Sequence, residues 1–290
     1  MRVIAVVGPT AAGKSDLGVA LARELGGEVV NADSMQLYRG MDIGTAKLTP
    51  AEQEGVPHHL LDVWDVRTTA TAAAYQSLCR TALAGIATPI VVGGSGLYVR
   101  AALDVMDFPG TDPELRRELE ATLEAVGSGP LHARLKALSP EAAARMEPSN
   151  GRRIVRALEV VLLTGAMPGA MTSYEMHVPT TYLGIDRPDL AERVATRVDR
   201  MWEHGLVAEV AALEGLREGV TASRALGYAQ ALQQLDGSLS EAEAKQQTVV
   251  ATRRFVKRQR AWFRRDPRIR WLDPERPLLA QARALLLSTD

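Results

Sequence analysis

The sequence predicts an α/β fold, a parallel sheet covered by helices and interrupted by an all-helical insertion. Three observations predict it. Short, continuous apolar runs at Val3–Val7 and 90–92 end at glycine turns, as strands buried on both faces do. Through the first hundred residues these runs alternate with segments of helical period, the pattern of successive βα units. From about Phe108 the strand pattern stops, and helical segments separated by glycine, serine and proline breaks take over.

The elements follow in order. Val3–Val7 is a buried strand running into a glycine-rich turn. Lys14–Leu25 places Leu17, Ala20, Leu21 and Leu25 at helical spacing, and Gly26-Gly27 ends it. Glu28–Asn31 and 59–63 read as the second and third strands, 69–86 as a helix closed by Thr88-Pro89, and 90–92 as a strand ending at Gly93-Gly94. Pro109-Gly110-Thr111-Asp112-Pro113 is a break carrying an N-cap signal. Helices follow at 114–126, 131–137 and 140–146, separated by Gly127-Ser128-Gly129-Pro130 and Ser139-Pro140. Residues 152–163 form a further helix, 181–185 a strand, and 189–204, 207–217, 224–235 and 240–263 helices, with a last strand at Ile269–Leu272. The expected division is a catalytic core of 1–108 and 151–290 and a helical insertion of 109–150.

Composition bounds the function. At 290 residues the chain can bury a sizeable core. No apolar run approaches the roughly 20 residues that span a bilayer, so no membrane association is expected. Met1 heads a strand directly, and the single cysteine, Cys79, excludes an internal disulfide and a cysteine-rich zinc site. A cytoplasmic protein is the expectation. The formal net charge of −1 does not advertise a nucleic-acid partner. The charge is nevertheless uneven. Arg253, Arg254, Lys257, Arg258, Arg260, Arg264, Arg265, Arg268 and Arg270 crowd one segment against a single acid, Asp266, and Arg152, Arg153 and Arg156 form a second knot. A solvated helix face explains such runs as well as a binding surface does.

The strongest motif is Gly8-Pro9-Thr10-Ala11-Ala12-Gly13-Lys14-Ser15, which fits G-x-x-x-x-G-K-[ST] with an apolar strand before it and a helix after it. Its glycines let backbone N–H groups turn around phosphate oxygens, the helix N-terminus adds a positive dipole end, Lys14 supplies a charge, and Ser15 a hydroxyl for Mg²⁺. This makes the sheet P-loop NTPase-like, without saying which phosphate compound binds. Asp33, at the end of the second strand, reaches the same sheet rim and can act as general base or metal ligand, or can simply cap a turn. Gly93-Gly94-Ser95-Gly96 follows the strand at 90–92 on that rim, and a tight turn explains it equally well. His58-His59 reads as structural and Asp62 as a turn residue. Arg193, Arg197 and Arg200 share one side of a helix, where they can clamp phosphate or form surface ion pairs.

Taken together, these segments resemble the tRNA dimethylallyltransferases. The run Asp33-Ser34-Met35-Gln36-Leu37-Tyr38-Arg39-Gly40-Met41-Asp42-Ile43-Gly44-Thr45-Ala46-Lys47 is the most specific match. Val56-Pro57-His58-His59-Leu60-Leu61-Asp62, Val91-Val92-Gly93-Gly94-Ser95-Gly96-Leu97-Tyr98, Arg156-Ala157-Leu158-Glu159, Leu226-Gly227-Tyr228 and Lys257-Arg258-Gln259 support it in family order. The resemblance implies transfer of a dimethylallyl group from its diphosphate to the exocyclic N6 of the adenosine immediately 3′ of the anticodon. The P-loop would then hold the donor's diphosphate rather than ATP. It implies catalytic roles for Asp33, Ser95 and Lys14, with Asp33 the base, Mg²⁺ as cofactor on Ser15, and Arg197 as a further cation on the leaving group. Implied contacts to the tRNA anticodon stem-loop are Asp33, Ser34, Met35, Gln36, Ser95, Arg116, Arg152, Arg153, Arg156, Arg224 to Ala229, and Lys257, Arg258 and on to Arg264. The insertion would grip the stem-loop as a movable lobe. Two departures stand out. Serine occupies position 95 where the family more often has threonine, and 66–70 matches poorly. No cysteine/histidine finger follows the core, which favours the compact bacterial type, a monomer with no obligate protein partner. The rival readings are a P-loop kinase of small molecules or nucleosides and a non-enzymatic RNA-binding P-loop protein.

Overall fold

The computed structural model describes residues 2–165 and 173–288. Six strands form one parallel sheet: β1 (Val3–Val7), β2 (Glu28–Asn31), β3 (His58–His59), β4 (Pro89–Gly93), β5 (Thr180–Ile185) and β6 (Ile269–Leu272), in the order β3-β2-β4-β1-β5-β6. Strands β1 and β4 are buried at every residue, the pattern of a sheet covered on both faces. The order reverses beside β1, so the carboxyl ends of β1, β2 and β4 open onto one crevice.

The helices are α1 (Lys14–Leu25), α2 (Ala72–Ala84), α3 (Gly96–Leu103), α4 (Pro113–Val126), α5 (Ser128–Leu138), α6 (Pro140–Ala144), α7 (Gly151–Thr164), α8 (Leu190–Glu203), α9 (Leu206–Ala212), α10 (Tyr228–Leu235), α11 (Glu241–Phe263) and α12 (Leu278–Leu287). Several differ from the sequence expectation for local reasons. β3 stops at His59 because Leu60 and Asp62 take positive φ (61° and 57°), which ends the extended backbone. α2 starts three residues later than expected, where the Thr71 side chain accepts from Ala74 N at 3.1 Å. α10 starts only at Tyr228, since Gly227 (φ 87°) breaks the backbone before it. α3 and α12 were not expected as helices.

The chain divides into two compact units, Met106–Tyr174 and the remainder. The expected boundary at residue 150 is corrected. Asn150 is only the N-cap of α7, and Ile154, Val155 and Leu158 of α7 share a core with Leu119, Leu131 and Leu135. The helix read as resuming the catalytic core therefore belongs to the helical unit. That unit also buries one acid, Glu159, which is fully inaccessible. Its carboxylate accepts from Arg116, from Arg156 Nη1 at 2.6 Å and from Asp112 N at 3.1 Å. Arg156 also donates to Pro109 O (2.7 Å) and Gly110 O (3.1 Å). Burial pushes the Glu159 carboxyl up, but the two guanidinium groups outweigh it and hold it below the ordinary carboxylate value.

In the sheet-bearing unit the chain departs after Val105 and returns at Glu175, where Val105 N donates to Glu175 O (2.8 Å) and His177 N to Leu103 O (2.8 Å). Beneath this joint Asp104 is fully buried. It accepts from Arg100 Nε (2.7 Å), Arg268 Nη1 (2.7 Å) and Tyr182 OH (3.1 Å). Each charge taken out of water is thus paired and hydrogen-bonded.

Candidate active site

The residues of β1 run straight into the P-loop. Gly8 has φ 144°, and a Cβ built there would lie 2.1 Å from Ile185 O of the neighbouring strand, so only glycine fits. Gly13 (φ 93°) is the N-cap of α1, leaving the first backbone N–H groups of the helix turned toward the loop. Lys14 Nζ folds back on the loop and donates to Pro9 O at 2.8 Å. Burial pulls its pKa down to about 8; the Asp33 charge raises it, and the Arg197 charge lowers it. Arg197, on α8, is likewise lowered by burial and partly restored by Asp33. Its Nη2 donates to Thr45 O at 3.0 Å. One helical turn earlier, Arg193 Nε donates to Ala11 O of the P-loop at 2.7 Å. Arg193 thus reaches the P-loop and Arg197 the Thr45 carbonyl, while Arg200 lines the cleft beside them.

Asp33 is held by the residues around β2. Asn31 Oδ1 accepts from Asp33 N (2.9 Å), and Asn31 Nδ2 donates to Asp33 O (3.1 Å) and Leu60 O (3.0 Å). Asp33 Oδ1 accepts from Met35 N at 2.9 Å, an Asx turn, while Oδ2 takes no hydrogen bond from any described residue. One oxygen thus serves the turn, and the other accepts no hydrogen bond among the described residues.

Ser95 fastens this loop to the end of β4. Its Oγ accepts from Ser34 N at 3.2 Å and lies 3.3 Å from Ser34 Oγ. A buried side chain from α11 completes the rim. Gln259 Oε1 accepts from Thr10 N at 3.0 Å, while its Nε2 donates to Gly94 O at 2.9 Å. Trp262, one turn along, packs so closely that a Cβ on Gly96 would lie 2.2 Å from its ring. The Gly93–Gly96 turn is therefore part of the site's wall, with glycine required by close approach.

Two connected cavities result. A small one of about 70 Å³ is lined by Thr10, Lys14, Ser15, Asp33, Gln36, Gly94 and Arg197, with an apolar side of Val29, Leu48, Leu61 and Val92. A wider cleft of about 790 Å³ shares Lys14, Ser15, Leu48 and Arg197 with it and continues past Asp42, Lys47, Arg193 and Arg200. The structure thus brings together Gly8 to Ser15, Asp33, Gln36, Ser95 and Arg197. Met35 packs partly into the hydrophobic core.

The other expected contact residues fall elsewhere. Lys257 and Arg258 are exposed on α11, with Arg258 over the Phe255 ring at 5.6 Å; Arg224 is exposed in the turn before α10. Tyr228, inside the expected contact run, is instead fully buried. Arg152 and Arg153 are exposed on α7, whereas Arg116 and Arg156 already hold Glu159. Asp62, read as a turn residue, also pairs with Lys47 at 2.6 Å. Asn31, Lys47, Glu209 and Gln259 went unread as site-builders. Asn31, Lys47 and Gln259 sat within or beside runs that the sequence singled out, and Glu209 did not. Among the described residues no helix is long and apolar enough to cross a membrane, and no group of three or more His, Cys, Asp or Glu gathers.

Comparison with known proteins places this geometry. A tRNA dimethylallyltransferase from Streptomyces coelicolor is 63% identical over 284 residues, covering 93% of this chain and 90% of its own. One from Thermobifida fusca is 59% identical, covering 98% and 94%. The crystal structure of a tRNA isopentenylpyrophosphate transferase from Bacillus halodurans superposes with a TM-score of 0.73 at 36% identity, covering 99% of this chain and 96% of that one. A eukaryotic dimethylallyltransferase acting on tRNA gives 0.81 at 26% identity, covering 100% and 79%. Residues 36–266 match the model of the IPP transferase family, and the chain belongs to that family of transferases.

Proposed function

We propose that this protein is a tRNA dimethylallyltransferase. It moves the dimethylallyl group of dimethylallyl diphosphate onto N6 of the adenosine immediately 3′ of the anticodon and releases diphosphate. The observation that carries the reading is the small cavity. Asp33, Lys14 and Arg197 line one space, with Val29, Leu48, Leu61 and Val92 as its apolar side.

The chemistry needs those three groups. The adenine amine is a weak nucleophile, since its lone pair is delocalised into the ring. Asp33 takes the N6 proton as the N6–C bond forms, the C–O bond to diphosphate breaks, and its electron pair leaves with the phosphate. Lys14 and Arg197 stabilise the charge that develops there. Mg²⁺ would be held by Ser15 and the diphosphate oxygens, since a magnesium ion keeps most of its shell as water and phosphate. It would neutralise leaving-group charge. The acceptor base must leave its stack at a cost of a few kcal/mol. The exposed Arg224, Lys257 and Arg258, and Arg152 and Arg153 of the helical unit, are the groups proposed to contact the stem-loop. Arg116 and Arg156 contribute first by holding Glu159.

The relatives favour this reading over a kinase. The test is incubation with labelled dimethylallyl diphosphate and an anticodon stem-loop bearing adenosine after the anticodon. Label in the RNA is the expected result. ATP-dependent phosphorylation of a small acceptor without alkyl transfer would overturn it.

A further inference from the structure

Three consecutive backbone amides after β2 converge on one carboxylate. Glu209 of α9 accepts from Asp42 N (3.2 Å) and Ile43 N (2.7 Å) on Oε2, and from Gly44 N (3.4 Å) on Oε1. The Tyr228 hydroxyl, from the first turn of α10, donates to that same Oε1. Tyr228 is fully buried, and a Cβ on Gly44 would lie 2.3 Å from its ring. Burial, and then the neighbouring Glu209 charge, push the Tyr228 pKa well up, so its hydroxyl stays a donor.

The next residue, Thr45, carries the consequence. Its carbonyl accepts from Arg197 Nη2 at 3.0 Å and from Gln36 Nε2 at 3.2 Å, and its hydroxyl donates to Met41 O at 2.7 Å. The backbone that Glu209 fixes is thus the backbone that aims Arg197 and Gln36. A carboxylate bonded to successive N–H groups is charge-assisted and strong. Here it is applied to an irregular loop that has no helix or strand to hold it.

We propose that Glu209, together with Tyr228, is a positioning residue for the diphosphate site, holding the backbone from Asp42 to Thr45 so that the Thr45 carbonyl directs Arg197 at the leaving group. This rests on the reading of the Lys14–Arg197 cavity as the donor site.

The test measures binding of inorganic diphosphate and two-substrate kinetics on full-length Tyr228→Phe, Glu209→Gln, Glu209→Ala and Arg197→Ala. Glu209→Ala is expected to raise the diphosphate Kd and the donor KM by about tenfold or more, with the stem-loop KM unmoved. Glu209→Gln, which keeps the volume and one accepting oxygen, and Tyr228→Phe, which removes only the hydroxyl, are expected to raise both by about two- to fivefold. On the Arg197→Ala background the Glu209 change should add less than about twofold, because both act through one guanidinium. A merely structural role would lower Tm and active fraction and leave both KM values alone. If Glu209→Ala does not fold, the two conservative variants carry the same comparison. Wild-type diphosphate affinity in both of them, or an undiminished Glu209 effect on the Arg197→Ala background, overturns the proposal. Failure of the wild-type protein to bind diphosphate or transfer the alkyl group overturns the donor-site reading itself.

Discussion

The open oxygen of Asp33 and the depressed pKa of Lys14 define the chemistry at the smallest scale. Asp33→Ala removes the proposed acceptor of the N6 proton, and we expect turnover to fall by about 10²- to 10⁴-fold. Folding and stem-loop affinity should persist; near-normal turnover would show that another group takes the proton. Lys14 makes a pH prediction. Its pKa in the free enzyme is pulled down to about 8, so the charge that meets diphosphate is lost as pH rises through that value. kcat/KM for the donor, which reports the free enzyme, should therefore decline above pH 8. Under saturating donor the bound phosphate favours the protonated amine, and the decline should move to higher pH. A flat kcat/KM profile between pH 7 and 9.5 would remove Lys14 from the role. Asp33, Lys14 and Ser15 were legible in the sequence because each belongs to a local run whose spacing carries the chemistry. Gln259 was not. A glutamine after Lys257 and Arg258 reads as solvated helix, and only packing on the P-loop reveals that it is buried.

Strands and turns decide whether those residues meet. The rim glycines resist substitution for different reasons, and stability measurements separate them. At Gly8 a Cβ collides with the backbone of β5 and φ is positive, so Gly8→Ala should destabilise the fold by about 2 kcal/mol or more in urea titrations. At Gly94 the nearest atom is the Gln259 amide nitrogen at 2.5 Å, with the backbone oxygen of Gly8 at 3.2 Å. Gly94→Ala should cost less than Gly8→Ala, about 1 kcal/mol for the displaced Gln259 hydrogen bonds, and weaken donor binding by displacing the brace on Thr10. Equal stability losses in the two variants would contradict this. The βα units around the P-loop were readable from their apolar runs and glycine stops. α3 escaped because it begins inside the glycine turn and is short. α12 escaped because Leu278–Leu287 has too few polar residues to show a periodic face.

For the molecule as a whole, the two units rely on separate ionic cores. In the helical unit the lowered pKa of Glu159 is a stability term. That stability is present above the unfolded carboxylate value and is lost as pH falls through the lower folded value. The protection of α7 amides, measured against their intrinsic exchange rates, should fall with acid over that window, and Glu159→Gln should flatten the response. In the other unit, Asp104→Ala would remove the buried carboxylate that Arg100, Arg268 and Tyr182 share, while Asp266 still holds Arg268, and should cost about 3 kcal/mol. Affinity for the stem-loop should fall steeply with salt if the exposed arginines and lysine meet phosphates; a shallow slope would make them solvated surface. The helical unit was legible as helical, but its far boundary was not. Of the partners of Glu159, Arg116 lies on α4 and Asp112 in the loop before it, and Arg156 of α7 also bonds the distant carbonyls of Pro109 and Gly110, so the sequence around α7 does not show which unit it joins.

The amide of Gln259 has one further implication, for how this position can drift. It must accept from one loop and donate to another at the same moment, which fixes the orientation of the amide. A carboxylate has no proton to give Gly94, an ammonium has no lone pair for Thr10, and asparagine is one methylene too short. Few side chains of this reach can do both, and saturation mutagenesis under selection for alkyl transfer should return glutamine most often. The exposed Lys257 and Arg258 beside it on α11 should accept either cationic residue in the same library and reject neutral or acidic ones.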